Sequence, residues 1–143
     1  FKGLPHRLEF IGEVDGIKYY NDSISTIPEA TIMAIKSLEN VETVLIGGLD
    51  RGIHYEKLTE FLEKSDVKNI ILMYDTGRRI EKMLKRDGVY YAEDLKSAVS
   101  LAKRITEKGK TCLMSPAAAS YGVFKNFEER GKAFETFVKE GNS

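Results

Sequence analysis

Apolar positions along this chain group into two kinds of segment that alternate. Behind Pro28, a residue suited to a first helical turn, Ala30, Ile32, Met33, Ala34, Ile35 and Leu38 recur at helical spacing and predict a helix over 28–38. Short unalternated apolar runs at 44–46, 69–74 and 111–114, with a shorter one at 89–92, predict strands buried on both faces. Further helices are expected over 55–63, 77–85, 94–107 (opened by Asp94) and 127–140. Ahead of all of these, residues 8–20 read as a hairpin turned at Asp15-Gly16, a strong two-residue turn signal. The expected fold is α/β: a Rossmann-like three-layer domain whose mainly parallel sheet gains an antiparallel edge strand from the N-terminal hairpin.

Composition narrows the classes of partner. The 143 residues are 42% apolar and carry 22 basic and 22 acidic side chains, which fits one globular domain and gives no electropositive footprint for nucleic acid or an anionic membrane. No apolar run approaches the roughly 20 residues that cross a bilayer, and no export signal stands at the start, so the cytoplasm is the expected location. The single cysteine, Cys112, lies in an apolar strand and reads as a small buried hydrophobe. His6 and His54 have no cysteines or spaced carboxylates with which to form a metal site, so none is expected. Phe1 and the Gly- and Pro-marked FKGLPHR segment read as a connector within a longer polypeptide.

Candidate chemistry collects in three loops that leave predicted strands, because parallel strands share one carboxyl edge and their exits converge there. These are NDSISTIP (21–28), GGLDRG (47–52) and SPAAASYG (115–122). Together they offer hydroxyls from Ser23, Ser25, Thr26, Ser115 and Ser120, the Arg51 guanidinium, and carboxylates from Asp22 and Asp50. That mixture suits a small, charged ligand with hydrogen-bonding groups. Each loop also has a structural reading: a side-chain N-cap for the first, a tight turn with a solvated Arg51 for the second, and close packing by Ala117–Ala119 for the third. Phe124, Phe127, Phe134 and Phe137 read as core. There is no GxGxxG or GxxxxGK[ST] sequence, so the usual cradle for a nucleoside triphosphate is missing from this chain.

In order along the chain, GLPHRLE, NDS with Thr26 and Pro28, GGLDRG with His54-Tyr55, and SPAAASYGVFKNFEERG resemble the carboxy-terminal domain of the Mur ligases. Within that family they are most similar to the members that add D-glutamate to UDP-N-acetylmuramoyl-L-alanine. The resemblance implies an ATP-dependent, amide-forming ligase of peptidoglycan synthesis, inactive as the isolated domain. ATP phosphorylates the substrate carboxylate, the amine of D-glutamate attacks the acyl phosphate, and the tetrahedral intermediate expels phosphate. It also implies that residues 1–7 link to a central ATPase domain that holds most of the ATP and the Mg2+, and that 8–143 form the amino-acid-binding domain of a monomer.

By the same resemblance His6, Arg7 and Asp22 meet ATP. Thr26, Arg51, Ser120, Tyr121 (through its backbone) and Phe127 meet D-glutamate, and no catalytic residue falls in this domain. The family often has lysine where Ile24 stands and aspartate where Gly122 stands, so neither position receives a polar role. From the residues alone two alternatives stay open: a Mur-type ligase domain for another amino acid, and a non-catalytic Rossmann-like nucleotide-binding module.

Overall fold

The computed structural model describes residues 6–140. Residues 1–5, including Gly3, Leu4 and Pro5 of the connector, lie outside the described residues, so the expected linker is seen only at His6 and Arg7. The first two elements are β1 (Glu9–Val14) and β2 (Ile17–Asn21), paired antiparallel with Val14 opposite Ile17. Asp15 and Gly16 both take positive φ, 53° and 82°, as the two-residue turn between twisted strands requires.

The chain continues through α1 (Pro28–Ser37), β3 (Val41–Gly47), α2 (Glu56–Lys64), β4 (Asn69–Met73), α3 (Tyr74–Glu81), β5 (Val89–Ala92), α4 (Leu95–Ile105), β6 (Thr111–Met114) and α5 (Phe127–Lys139). The six strands are ordered β1-β2-β6-β3-β4-β5, and every pairing except β1–β2 is parallel. The edge strand expected from the hairpin is therefore β1.

Alternation along the central strands divides the core in two. Val44, Ile46, Ile70, Leu72 and Leu113 pack with Ala34, Ile35, Leu58, Leu62 and Ile80, so α1, α2 and α3 cover one face. Leu45, Ile71, Cys112 and Met114 pack with Leu95, Ala98, Val99, Phe134 and Val138, so α4 and α5 cover the other. This division follows from the topology. The chain steps outward from β3 to β5 and then returns through α4 to insert β6 between β2 and β3, and a right-handed crossover that reverses direction lays its helix on the opposite face. Cys112 is fully buried and its thiol pKa is pushed up by desolvation, as a small hydrophobe's would be.

One helix departs from expectation. The helix expected at 77–85 begins at Tyr74 and ends at Glu81. Gly77 does not open it but lies inside its first turn, where a Cβ would stand 2.8 Å from the Leu72 carbonyl carbon, so the missing side chain lets α3 lie against β4. Beyond Glu81 the amides of Met83 and Leu84 both return to the Ile80 carbonyl, which ends the helix in a tightened turn.

Candidate functional site

The three strand-exit loops are joined by main-chain hydrogen bonds, with the loop after β6 in the middle. The Asp22 amide donates to Met114 O (2.8 Å) and the Ala117 amide to Ser25 O (3.0 Å), which ties the middle loop to the one after β2. On its other side the Gly47 amide donates to Pro116 O (2.8 Å) and the Leu49 amide to Ala119 O (3.0 Å). Ala117, fully buried, takes φ 56°, a left-handed conformation that costs a non-glycine residue on the order of 1 kcal/mol. It is held there from both sides, because its carbonyl also accepts the Tyr55 hydroxyl at 2.6 Å.

Asp22 is the polar centre of the first loop. It is 2% exposed, and its carboxylate accepts from the Leu8 amide (3.1 Å), the Ser25 hydroxyl (2.5 Å) and the Ser115 hydroxyl (2.8 Å). Ser115 Oγ also lies 2.9 Å from Thr31 Oγ1 on α1, whose hydroxyl reaches the Ser115 carbonyl at 3.1 Å. The side-chain N-cap expected of this segment does not form. Ile27 occupies the cap position without a side-chain bond, because the Asp22 carboxylate is taken by Leu8, Ser25 and Ser115 and the Ser23 hydroxyl by Phe127 O.

Burial raises the Asp22 pKa above its ordinary 3.8, against the opposing pull of the Ser25, Ser115 and Leu8 hydrogen bonds and the Arg7 charge. A carboxyl raised in the folded state favours folding most below its unfolded pKa and loses that contribution as pH rises through the folded value. The stability of the native sequence relative to Asp22→Asn should therefore decline as pH rises from below 3.8. Urea titrations of both proteins from acid to neutral pH check this, and a difference that grows with pH would contradict it.

Arg130, on α5, was not among the residues expected at the site. It is 1% exposed and lies among the loops: Nε donates to Ser23 Oγ (3.0 Å), Nη2 to Ser23 O (2.7 Å) and Nη1 to Ala118 O (2.9 Å). Ser23 Oγ in turn donates to Phe127 O at 2.7 Å. A Cβ on Gly48 would stand 3.3 Å from Arg130 Nη1, so the 47–52 loop also closes on this guanidinium. Desolvation lowers its pKa to about 10, leaving it a cation at neutral pH. The signal for it was in the sequence: Arg130, Phe134 and Val138 recur every four residues on one stripe of α5, and all three are buried.

The connector is fastened to the same region. His6 donates its amide to Glu9 Oε1 (3.0 Å), accepts the Ile24 amide on its carbonyl (3.1 Å), and lies 2.9 Å from Asn21 Nδ2 through Nδ1. Its ring meets Phe127 edge-on at 6.1 Å and fills the space over Gly131, where a Cβ would come within 2.1 Å of Nδ1. Arg7 is exposed beside Asp22, and the two line a cleft of about 280 Å³ with Leu8, Ile24, Ser25 and Met33. Its volume falls just below the usual range of small-molecule sites, about 300–1,000 Å³. The three residues expected to meet ATP thus lie together, with Asp22 as a buried floor and Arg7 as the open charge.

The five residues expected to meet D-glutamate occupy all three loops and the start of α5. Arg51 is exposed, and among the described residues its side chain has no hydrogen bond or ion pair. Ser120 is 6% exposed, Tyr121 is 60% exposed, and Thr26 and Phe127 are half-buried. The Leu49–Ala119 bridge sets the Arg51 loop alongside the Ser120 loop, and the Ser25–Ala117 bond sets Thr26 next to the same strand exit. Phe127 opens α5 directly after Asn126, whose side chain caps the helix by accepting the Glu129 amide at 2.8 Å.

Among the described residues no group of three or more His, Cys, Asp or Glu side chains is placed to hold a metal. The donors here do not fit a metal site, so no metal-dependent step is assigned to them. His54 is almost fully exposed, with Nδ1 at 3.9 Å from Glu56. No helix among the described residues is long and apolar enough to cross a membrane.

The family model described as Mur ligase, glutamate ligase domain matches residues 6–118. The UDP-N-acetylmuramoylalanine–D-glutamate ligases of Caldanaerobacter subterraneus subsp. tengcongensis and Clostridium perfringens are 40% and 42% identical over 98% and 96% of this chain. In both cases the chain spans 32% of the relative's length, about a third of the whole protein. Among solved structures, the Thermotoga maritima MurF ligase in complex with ADP superposes with a TM-score of 0.66 at 17% identity, over 96% of this chain and 32% of that one. A Mycobacterium tuberculosis folylpolyglutamate synthase complexed with ADP gives 0.61 at 14% identity, over 98% of this chain and 34% of that one. These two share the fold. The family match covers most of the chain, and the protein belongs to the Mur ligases, carrying their glutamate ligase domain.

Proposed function

We propose that residues 8–143 are the amino-acid-binding domain of an ATP-dependent ligase that joins D-glutamate to UDP-N-acetylmuramoyl-L-alanine in peptidoglycan synthesis. On this reading residues 1–7 lead from a central domain that binds most of the ATP and its Mg2+. The observation that carries the proposal is Arg51, exposed and without a side-chain partner among the described residues, on a loop bonded to the Ser120 loop, in a chain whose relatives over nearly its full length are named as D-glutamate ligases.

The work of such a domain is positioning. Arg51 takes a substrate carboxylate through a charge-assisted, two-pronged contact, with Ser120 and Thr26 donating to the remaining oxygens and Phe127 walling one side. So held, the amine of D-glutamate stands free to attack the acyl phosphate carbon; a tetrahedral intermediate forms and phosphate leaves. Fixing the amine in place replaces an encounter in solution, which in favourable intramolecular systems is worth about 7–11 kcal/mol. Arg7 and the Asp22 floor serve the nucleotide side.

The test is ligation by the full-length protein with ATP, magnesium and UDP-N-acetylmuramoyl-L-alanine, offered D-glutamate, L-glutamate, L-alanine or meso-diaminopimelate. Turnover with D-glutamate alone is expected. Arg51→Ala should raise KM for D-glutamate at least about tenfold, roughly 1.4 kcal/mol, while KM for ATP stays within about twofold. Unchanged glutamate kinetics in that variant would remove Arg51 from the site, and turnover with a different amino acid would replace the substrate.

A further inference from the structure

We propose that Arg79, on α3, is a positioning residue that keeps Arg51 available to the amino-acid substrate by occupying the neighbouring carboxylate of Asp50. The inference rests on the reading of Arg51 as the carboxylate-binding group, and goes beyond it by naming what holds that group open.

Arg51 stands at the apex of its loop between Asp50 and Gly52. The Gly52 amide donates to Asp50 Oδ1 at 3.0 Å, closing a small side-chain turn around Arg51, and Gly52 takes φ 74° to complete it. Arg79 binds this turn from the side of α3. Its Nη1 donates to the same Asp50 Oδ1 at 2.5 Å, and its Nη2 donates to the Ile53 carbonyl. The loop is thus gripped on both sides of Arg51 by one planar guanidinium, a geometry lysine cannot reproduce. The Asp50 and Arg79 side chains are each 33% exposed, so the pair is partly withdrawn from solvent.

Two further contacts extend the grip. The Arg79 guanidinium lies 4.9 Å over the Tyr55 ring, and the Tyr55 hydroxyl is the group that holds Ala117 O at the head of the Ser120 loop. One turn earlier on α3, the Thr76 amide donates to Gly48 O at 3.1 Å. The Arg51 and Ser120 loops, two of the three that present the proposed glutamate contacts, are therefore referenced to α3.

Charge explains why the arrangement affects binding as well as loop shape. Asp50 adjoins Arg51 in sequence and is anionic, as is the substrate. Left unpaired, it would compete with the substrate for Arg51 or repel the incoming carboxylate. Paired with Arg79, it does neither, and Arg51 is exposed without a partner among the described residues.

The test uses the full-length ligase with D-glutamate varied and the other substrates saturating. Arg79→Met should raise KM for D-glutamate about tenfold, with kcat and KM for ATP within about twofold, a difference of roughly 1.4 kcal/mol. Arg79→Gln, which keeps a donor for Ile53 O but not the charge, should behave alike and serves if the methionine variant folds poorly. Adding Asp50→Asn to Arg79→Met should bring KM back to within about threefold of the native value, because asparagine keeps the bond to Gly52 without the charge; loss of structure alone would not be rescued this way.

Arg51→Ala is the internal reference. If it raises KM for D-glutamate but neither Arg79 variant does, the role of Arg79 is wrong and that of Arg51 stands. If the double variant stays as impaired as Arg79→Met, the charge-masking proposal is overturned. If Arg51→Ala leaves KM unchanged, the glutamate reading fails and the proposal for Arg79 falls with it.

Discussion

Arg130→Met is expected to destabilise the domain by about 2–4 kcal/mol, measured by urea denaturation of the isolated chain. The guanidinium serves three acceptors that no water reaches: Ser23 Oγ, Ser23 O and Ala118 O. A buried acceptor stripped of its donor costs about 1–3 kcal/mol, and three are left here. Part of that is returned because the folded state no longer desolvates a cation, the same cost that lowers the Arg130 pKa to about 10. Arg130→Lys should fall between, since an ammonium keeps the charge but cannot span Ser23 and Ala118 together. A loss below about 0.5 kcal/mol in the methionine variant, the size of an ordinary surface change, would show that the three loops do not depend on this side chain. Because Ser23 and Ala118 belong to different loops, both variants should also loosen the site, seen as faster amide exchange at residues 22–25 and 115–120.

The second large effect is expected at Gly47, the last residue of β3, where Gly47→Ala should cost about 3–5 kcal/mol, with a fall in Tm on the order of 10 °C or more. Two causes add. Gly47 takes φ 137°, a region that L side chains rarely enter, and a Cβ there would stand 2.0 Å from the Met73 carbonyl oxygen. That oxygen belongs to the paired strand β4 and cannot withdraw without disturbing the parallel ladder. Gly109→Ala separates the two causes, since Gly109 has φ 88° with nothing within 4 Å, and should cost only about 1–2 kcal/mol of conformational strain. Equal losses in the two variants would mean that the close approach to Met73 contributes nothing.

Much of the fold was legible because it is built from local rules. The Asp15-Gly16 pair turned the hairpin where expected, and the runs at 89–92 and 111–114 became β5 and β6 with the same bounds. Unalternated strands required cover on both faces, and the two core clusters supply it. The bounds of α3 were misread because Gly77 resembles a helix boundary in sequence, whereas its role is to let a helix approach Leu72 closely. That role needs β4 as a neighbour, and no window of sequence contains the neighbour.

The candidate site divides in the same way. Its three loops were recognisable from their composition and their places at strand exits, and the family motifs named residues within them. The partners of those residues were not recognisable. Asp22, Ser23 and Ser25 have the chemistry of a helix cap, yet Asp22 bonds to Leu8, Ser25 and Ser115, and Ser23 to Phe127 and Arg130. Nothing in the local sequence marks Arg79, and only the packing of α3 beside the 47–53 loop gives it Asp50 and Ile53.

By itself, then, the sequence determined most of the elements, the hairpin turn, the need for cover on both faces of the sheet and the loops that gather at its carboxyl edge, since periodicity and turn chemistry act over a few residues. Tertiary structure alone decided which buried polar groups satisfy one another. The insertion of β6 between β2 and β3 brings Ser23, Ala118 and Arg130 together from distant parts of the chain, and a buried donor or acceptor must take the partners that the fold places beside it.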